Sequence, residues 1–343
     1  MTVRLALIGC GRIARLSHLA NLASNPQCEL VGIADSSPGA LDAAKAVVPR
    51  AEAFADFRVL FEALRPDAAV IALPTSFHLD GAFAALESGA HAYLEKPIAP
   101  TVDEARSIHA AWTATKLVGR IGFNGRFNQL YTQLRDKLRK GEIGEVVAVR
   151  TTFTALYPDE ATWRVSPGTG GGALLELASH HVDLLRYLLD SEVASVFATS
   201  WSNRGDDEAA MIHIRMANGV NAQLLVAYGT IEEDSFEVYG NAGKLRVNRY
   251  DSLIVERLAP HAAGGLASAA ARLKAEVSGL QYGLSKRKSP GQEPSFSASL
   301  SAFVSAAVQG TQQAPDFTDG LRAIEIIDAA RRSIAAGCTV ELS

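Results

Sequence analysis

The chain has 343 residues, 48% of them hydrophobic and 20% charged, which suits two packed domains and excludes an extended disordered chain. Its 33 Lys and Arg against 37 Asp and Glu leave a formal charge of −4, which excludes a broad basic footprint for nucleic acid. Three scattered cysteines and no apolar run of roughly 18 residues exclude a disulfide framework, a zinc cluster and a membrane span, so a cytoplasmic protein without a metal site is expected.

The opening MTVRLALIGCG reads as a buried strand entering a glycine turn, not as a signal peptide, because it lacks a basic segment and a cleavage site. Val3–Ile8 is that strand. A helix is expected over Ile13–Ala23, a strand over Glu29–Ala34 and a helix over Pro38–Val47. Further strands fall at Ala68–Leu73, His91–Glu95 and Leu117–Gly122, with helices over Phe77–Ser88 and Val102–Thr115. Strand–helix repetition of this kind predicts a doubly wound parallel sheet with right-handed crossovers.

The pattern changes near Asn124. A helix is expected over Asn128–Arg139, a one-side-exposed strand over Val146–Tyr157, and a helix over Ala173–Leu189 after the glycine run 168–172. Six strands follow: Val193–Trp201, Ala209–Met216, Ala222–Ala227, Phe236–Tyr239, Lys244–Val247 and Ser252–Glu256. Asn218-Gly219 between two of them is a hairpin signature. The fold class is therefore α/β, with an N-terminal parallel sheet and a C-terminal α+β domain carrying a mostly antiparallel sheet. Ala267–Leu284 has helical character, and Lys286-Arg287-Lys288 reads as a solvated basic loop. Helices over Ser297–Val308 and Gly320–Ala336 and a strand Thr339–Leu342 close the chain.

Gly9-Cys10-Gly11-Arg12-Ile13-Ala14 fits the GxGxxG/A dinucleotide turn. Gly9 permits the tight exit from the strand, Gly11 lets backbone approach a pyrophosphate, and Ala14 permits close helix–strand packing. The turn follows a strand and opens a helix, as the motif requires. Asp35 ends the second strand, where a carboxylate accepts hydrogen bonds from ribose hydroxyls. Ser36, Ser37 and Pro38 follow it, with no cation for a 2′-phosphate. NAD is therefore expected over NADP, although Arg12 lies in the same turn. Cys10 is expected to pack beneath that turn.

With these blocks the sequence resembles the Gfo/Idh/MocA oxidoreductase family. Besides Gly9–Ala14, the resemblance rests on Pro74-Thr75-Ser76-Phe77-His78, on Glu95-Lys96-Pro97, and on Trp163-Arg164 leading to Gly170 through Asp183. Asp319–Ala323 and Gly337–Leu342 also fit. The family implies a Rossmann domain over residues 1–122, onto which the C-terminal helix at about 315–337 packs back. It implies a substrate-binding and oligomerisation domain over 123–343, with a large open sheet whose outer face makes homodimers or homotetramers.

It also implies the site. Pro74, Thr75, His78, Glu95 and Lys96 join the glycine turn around the cofactor. Lys96 stabilises alkoxide character on the substrate, and His180 is the acid/base. Glu176 and His180 stand four apart, on one helix face. The family places Asp where Glu176 stands, so Glu176 either meets a different hydroxyl or orients His180. Asn124, Arg126, Tyr157, Trp163, Arg164 and Asp183 are further substrate-side candidates. His181 points about 100° away from His180 and reads as structural.

The leading expectation is hydride transfer between a nicotinamide and a secondary alcohol carbon of a sugar, polyol or sugar derivative. A retained-NAD sugar enzyme that oxidises its substrate only transiently is the second. A nucleotide-sensing protein without catalysis ranks last, because Lys96 and His180 are both present.

Overall fold

A computed structural model describes residues 2–157, 171–203, 207–259 and 279–342. The chain divides into two compact units, Met1–Asn124 with Ser289–Ile324, and Gly125–Lys288 with Glu325–Ser343. Among the described residues no helix is long and apolar enough to cross a membrane.

The first unit holds a six-stranded, all-parallel sheet. Its strands are β1 (Val3–Ile8), β2 (Cys28–Ala34), β3 (Glu52–Phe54), β4 (Ala68–Ile71), β5 (His91–Leu94) and β6 (Gly119–Ile121). They stand in the order β3-β2-β1-β4-β5-β6, the doubly wound arrangement whose strand order reverses between β1 and β4. α1 (Leu19–Ala23), α2 (Pro38–Val47), α3 (Phe57–Leu64), α4 (His78–Glu87) and α5 (Val102–Thr113) make the crossovers. The central strands are mostly apolar, and β4 is apolar and buried at every residue, as helices on both faces require. Three of these helices start on side-chain caps: Ser37, Asp56 and Thr101 each accept a hydrogen bond from a first-turn N–H.

β3 and α3 were not expected from the sequence. β3 is a short edge strand with two exposed residues, so it carries little alternation to read. α3 was detectable: Asp56 caps a segment that buries Leu60 and Phe61 on one face.

In the second unit, α6 (Gln129–Arg139) and α7 (Ser179–Leu189) accompany an eight-stranded sheet. Its strands are β7 (Val146–Ala155), β8 (Val193–Trp201), β9 (Ala209–Met216), β10 (Asn221–Tyr228), β11 (Glu233–Gly240), β12 (Gly243–Asn248), β13 (Glu256–Leu258) and β14 (Val340–Glu341). The order is β13-β12-β11-β7-β10-β9-β8-β14. All pairs are antiparallel except β7 with β10. Along β9 buried and exposed residues alternate strictly, so one sheet face is covered and the other open.

Two expectations are corrected here. The strand expected at Ser252–Glu256 begins only at Glu256. Asn248 holds the preceding residues in a turn: its side chain accepts from Tyr250 N–H, and its backbone N–H donates to Ser252 Oγ. The basic cluster at Lys286 is not a loop but lies in α8, described over residues 279–288. Lys286 Nζ donates to the carbonyls of Arg249 and Tyr250 at 2.9 and 3.2 Å.

α9 (Pro294–Gln309) belongs to the first unit, where Leu300, Phe303 and Val304 are buried with Leu5, Leu7 and Tyr93. Each such side chain contributes about 1.5–3 kcal/mol by leaving water. α10 (Phe317–Ala336) follows.

Gly9 sets the exit from β1. Its φ is +91°, and a Cβ there would lie 2.4 Å from the carbonyl oxygen of Ala72. Gly9→Ala is expected to lower stability by about 2–4 kcal/mol through combined backbone strain and overpacking, read by urea denaturation.

Candidate functional site

In a parallel sheet of this type, ligands gather at the carboxyl ends of the strands, beside the point where strand order reverses. The first unit collects its candidate residues there. Gly9–Ala14 follows β1, Asp35 follows β2, Pro74–His78 follows β4, and Glu95-Lys96 follows β5. Asn124 lies just past β6.

At the glycine turn, Cys10 and Ala14 are fully buried while Arg12 is exposed and Ile13 half-buried. A Cβ on Gly11 would meet nothing within 4 Å, so the backbone faces open space there, as an approaching pyrophosphate requires. Asp35 ties the turn to β2. Its Oδ2 accepts from Cys10 N–H at 2.7 Å and its Oδ1 from Ser37 N–H at 2.8 Å. A carboxylate offers about four acceptor sites, so capacity remains for ribose hydroxyls. Burial, helped by the Asp35 charge, pushes the Cys10 thiol up to about 12. Cys10 thus contributes its backbone N–H to the turn and is no nucleophile.

The helix expected to run from Ile13 does not wind uniformly. Ala14–His18 forms a π turn, with Leu19 N–H reaching Ala14 O, before α1 begins. Pro74 opens a short 3-10 turn in which Thr75 is buried. His78 is also buried, with Nδ1 2.8 Å from Pro97 O and Nε2 2.9 Å from Leu73 O. Glu95 is buried beside His18, whose Nε2 donates to Glu95 Oε1 at 2.8 Å. Lys96 is half-buried, and its N–H donates to Glu95 Oε2 at 3.3 Å. The Lys96–Pro97 peptide is cis. Asn124 is buried and donates through Nδ2 to Ser295 Oγ at 2.8 Å, which ties it to α9. His18 was not singled out from the sequence. Its only local signal was a lone histidine on an apolar helix face, and its partner stands 77 residues away.

In the second unit, Glu176 lies in another π turn, Leu174–Ala178, which leads straight into α7. Glu176 is buried and His180 half-buried. The His180 ring lies 5.8 Å from that of Phe153. Asp183 is buried and forms a two-point ion pair with Arg126, at 2.9 and 2.6 Å. Tyr157 donates to Glu208 Oε1 at 2.5 Å and packs over Gly229. Trp163 and Arg164 lie outside the described residues.

His181 is fully buried among Thr151, Asp234 and two phenylalanines. Its Nδ1 is 2.6 Å from Thr151 Oγ1 and its Nε2 3.1 Å from Asp234 Oδ1. The rings of Phe153 and Phe236 lie 5.1 and 4.6 Å away. Asp234 also accepts from the Tyr131 hydroxyl and from Arg249 Nε at 2.5 Å. Burial alone would raise the Asp234 pKa. The Arg249 charge and the His181 and Tyr131 hydrogen bonds outweigh it and hold the carboxyl well below the usual range. This network locks α7 against β7 and β11, one residue past His180.

A parallel sheet of this order, with a glycine turn after its first strand and an acid after its second, defines a dinucleotide-binding protein. Residues 3–124 match the oxidoreductase family with an NAD-binding Rossmann fold, and residues 131–246 match the GFO/IDH/MocA C-terminal domain. The chain belongs to the Gfo/Idh/MocA family of oxidoreductases. It is similar to an inositol 2-dehydrogenase of Rhizobium meliloti, 27% identical over 98% of each chain. It is also similar to a 1,5-anhydro-D-fructose reductase of Ensifer adhaerens, 32% identical over 52% of this chain and 56% of that one. Among solved structures, the WlbA dehydrogenase of Bordetella pertussis, in complex with NADH and UDP-GlcNAcA, shares the fold. Its TM-score is 0.84 at 24% identity, covering 100% of this chain and 98% of that one.

A carboxylate held low in the folded state contributes stability above its unfolded pKa of about 3.9, and that contribution is lost as pH falls below it. Asp234→Asn is therefore expected to cost about 3–5 kcal/mol at pH 7 and to flatten the acid limb of the stability profile below about pH 4. Denaturant titrations at pH 7 and along an acid series read both effects.

Proposed function

We propose that the protein is a dehydrogenase or reductase that moves a hydride between a nicotinamide dinucleotide and a secondary hydroxyl or keto carbon of a sugar, polyol or sugar derivative. One observation carries this reading: the glycine turn, Asp35 and Lys96 follow three strands of one parallel sheet at their carboxyl ends. The dinucleotide, when bound, supplies the hydride acceptor or donor. The backbone of Gly9–Ala14 would hold its pyrophosphate, with Pro74 and Thr75 alongside, and the open space over Gly11 fits that task.

Lys96 presents an ammonium to the substrate oxygen and stabilises negative charge as it develops. His180 takes the hydroxyl proton in the oxidation direction and returns it in reduction. Both side chains are half-buried. The burial of Glu176 supports an orienting role beside His180. The two-point ion pair of Arg126 and Asp183 supports a role in holding α7. The names of the similar proteins, which act on inositol and 1,5-anhydro-D-fructose, support the substrate class.

NAD is the preferred cofactor. The Asp35 carboxylate repels a 2′-phosphate, and no cation follows it in Ser36-Ser37-Pro38. The open face of the second unit's sheet exposes Val147, Trp201 and Met211, which supports assembly into a homodimer or homotetramer. The three cysteines are free, which supports a reducing, cytoplasmic location.

A panel of inositols, D-glucosides and 1,5-anhydro-D-fructose, followed at the reduced-nicotinamide absorbance with NAD and NADP, tests the reading. Lys96→Met and His180→Ala are each expected to lower kcat by about 10²–10⁴ on the substrate that turns over. Wild-type turnover in either variant would remove that residue from the mechanism. Asp35→Ser is expected to raise the KM for NAD about tenfold or more and to narrow its advantage over NADP. An unchanged cofactor ratio would remove Asp35 from the selection.

A further inference from the structure

Lys96 has a long, rotatable side chain, and ordering such a chain costs up to about 2 kcal/mol. Its usefulness therefore depends on how firmly its backbone is held. Two buried histidines bracket it. On the amino side, His18 Nε2 donates to Glu95 Oε1 at 2.8 Å, and the other Glu95 oxygen accepts the Lys96 N–H at 3.3 Å. On the carboxyl side, His78 Nδ1 lies 2.8 Å from the carbonyl of Pro97, while Nε2 lies 2.9 Å from Leu73 O. A carbonyl only accepts, so His78 is the donor, and it holds Pro97 in the tautomer that carries the proton on Nδ1.

The surroundings leave these rings little freedom. His18 is fully buried, edge-on to Tyr93 and Phe296 at 6.1 Å each. Its Nδ1 has no hydrogen-bond partner among the described residues, so the Nε2–H tautomer satisfies the contact with Glu95. Glu95 in turn fills the space over Gly122, where a Cβ would lie 2.8 Å from its Oε2. The two histidines come from the segments that bear the dinucleotide site. His18 ends the π turn that starts at Ala14, and His78 follows the turn that buries Thr75.

We infer that His18, acting through Glu95, and His78, acting through the Pro97 carbonyl, are positioning residues that hold the Lys96 backbone to the two cofactor loops. This rests on the reading of Lys96 as the residue that meets substrate. The histidines themselves touch neither substrate nor cofactor in this scheme.

The test pairs shape-keeping with contact-keeping variants. Gln at position 18 keeps a donor where Nε2 stood, and Asn at position 78 keeps one where Nδ1 stood, whereas Leu at either position keeps bulk without a donor. Hydrogen exchange of the NADH-loaded protein, resolved at residues 94–98, is the first readout. His18→Leu is expected to speed exchange of the Lys96 amide at least tenfold, and His18→Gln less than threefold. His78→Leu is expected to speed exchange over residues 94–98, with His78→Asn close to wild type. Unchanged exchange in both Leu variants would overturn the inference. Equal acceleration in Leu and Gln would overturn it for His18, because it would trace to lost packing alone. If His18→Leu fails to fold, Glu95→Gln is expected to speed the same amide, and its failure to do so overturns the inference equally.

Turnover provides the second readout. His18→Leu is expected to lower kcat about tenfold with the KM for NAD changed less than twofold, and to have no further effect when added to Lys96→Met. A loss repeated in the Lys96→Met background would mean a purely structural role. Full turnover in Lys96→Met alone would instead defeat the reading of Lys96, while the exchange arm still reports on the histidine ties.

Discussion

The missing side chain at Gly9 is the constraint on which the first unit depends. β1 must end beside β4, because those neighbours border the point where strand order reverses, and the chain must leave β1 against the backbone of Ala72. Only a residue without Cβ passes there in a left-handed conformation. Once it does, Cys10 N–H meets the Asp35 carboxylate, and the next residues begin to wind over open space at Gly11. The turn, the acid and the helix start are consequences of one tight passage.

Each unit also carries a buried histidine–carboxylate couple next to a proposed functional residue. His18 pairs with Glu95, the residue before Lys96, and His181, the residue after His180, pairs with Asp234. Burying such groups is costly, and the pairing offsets that cost only when geometry is good and the remaining polar atoms are met. The Asp234 carboxylate meets this condition with the side chains of Tyr131, His181 and Arg249, and the Asp234 backbone carbonyl accepts from Arg249 N–H. What such couples provide is a unique side-chain arrangement more than raw stability, since an apolar pair of similar volume would pack as well but would not orient its neighbour.

Much of this was legible in the sequence. The bounds of β1, α2, β8 and β9 follow from apolar runs and alternation bounded by turn residues, and the glycine turn announces its own context. What remained hidden has physical reasons. β3 is too short and exposed to show a period. The start of β13 is set by Asn248 side-chain bonds that composition does not display. A π turn does not alter the apolar pattern enough to be seen by a 3.6-residue template. His18 and Asp234 acquire meaning only through partners 77 and 53 residues away. For Asp183 and Arg126, the sequence supplied the helix face but not the ion pair that occupies both.

The π turn before α7 has a consequence for how this helix can change. A π turn holds one more residue than an α turn, so deleting one residue from Leu174–Ala178 would restore ordinary winding with the phase of α7 kept, and only side chains within the turn would be displaced. The downstream half would stay, clamped by His181 and Asp234. Glu176 stands on the adjustable side and His180 on the clamped side. The turn is thus a local spacer: a single deletion within it re-aims the Glu176 carboxylate while leaving the imidazole where it was.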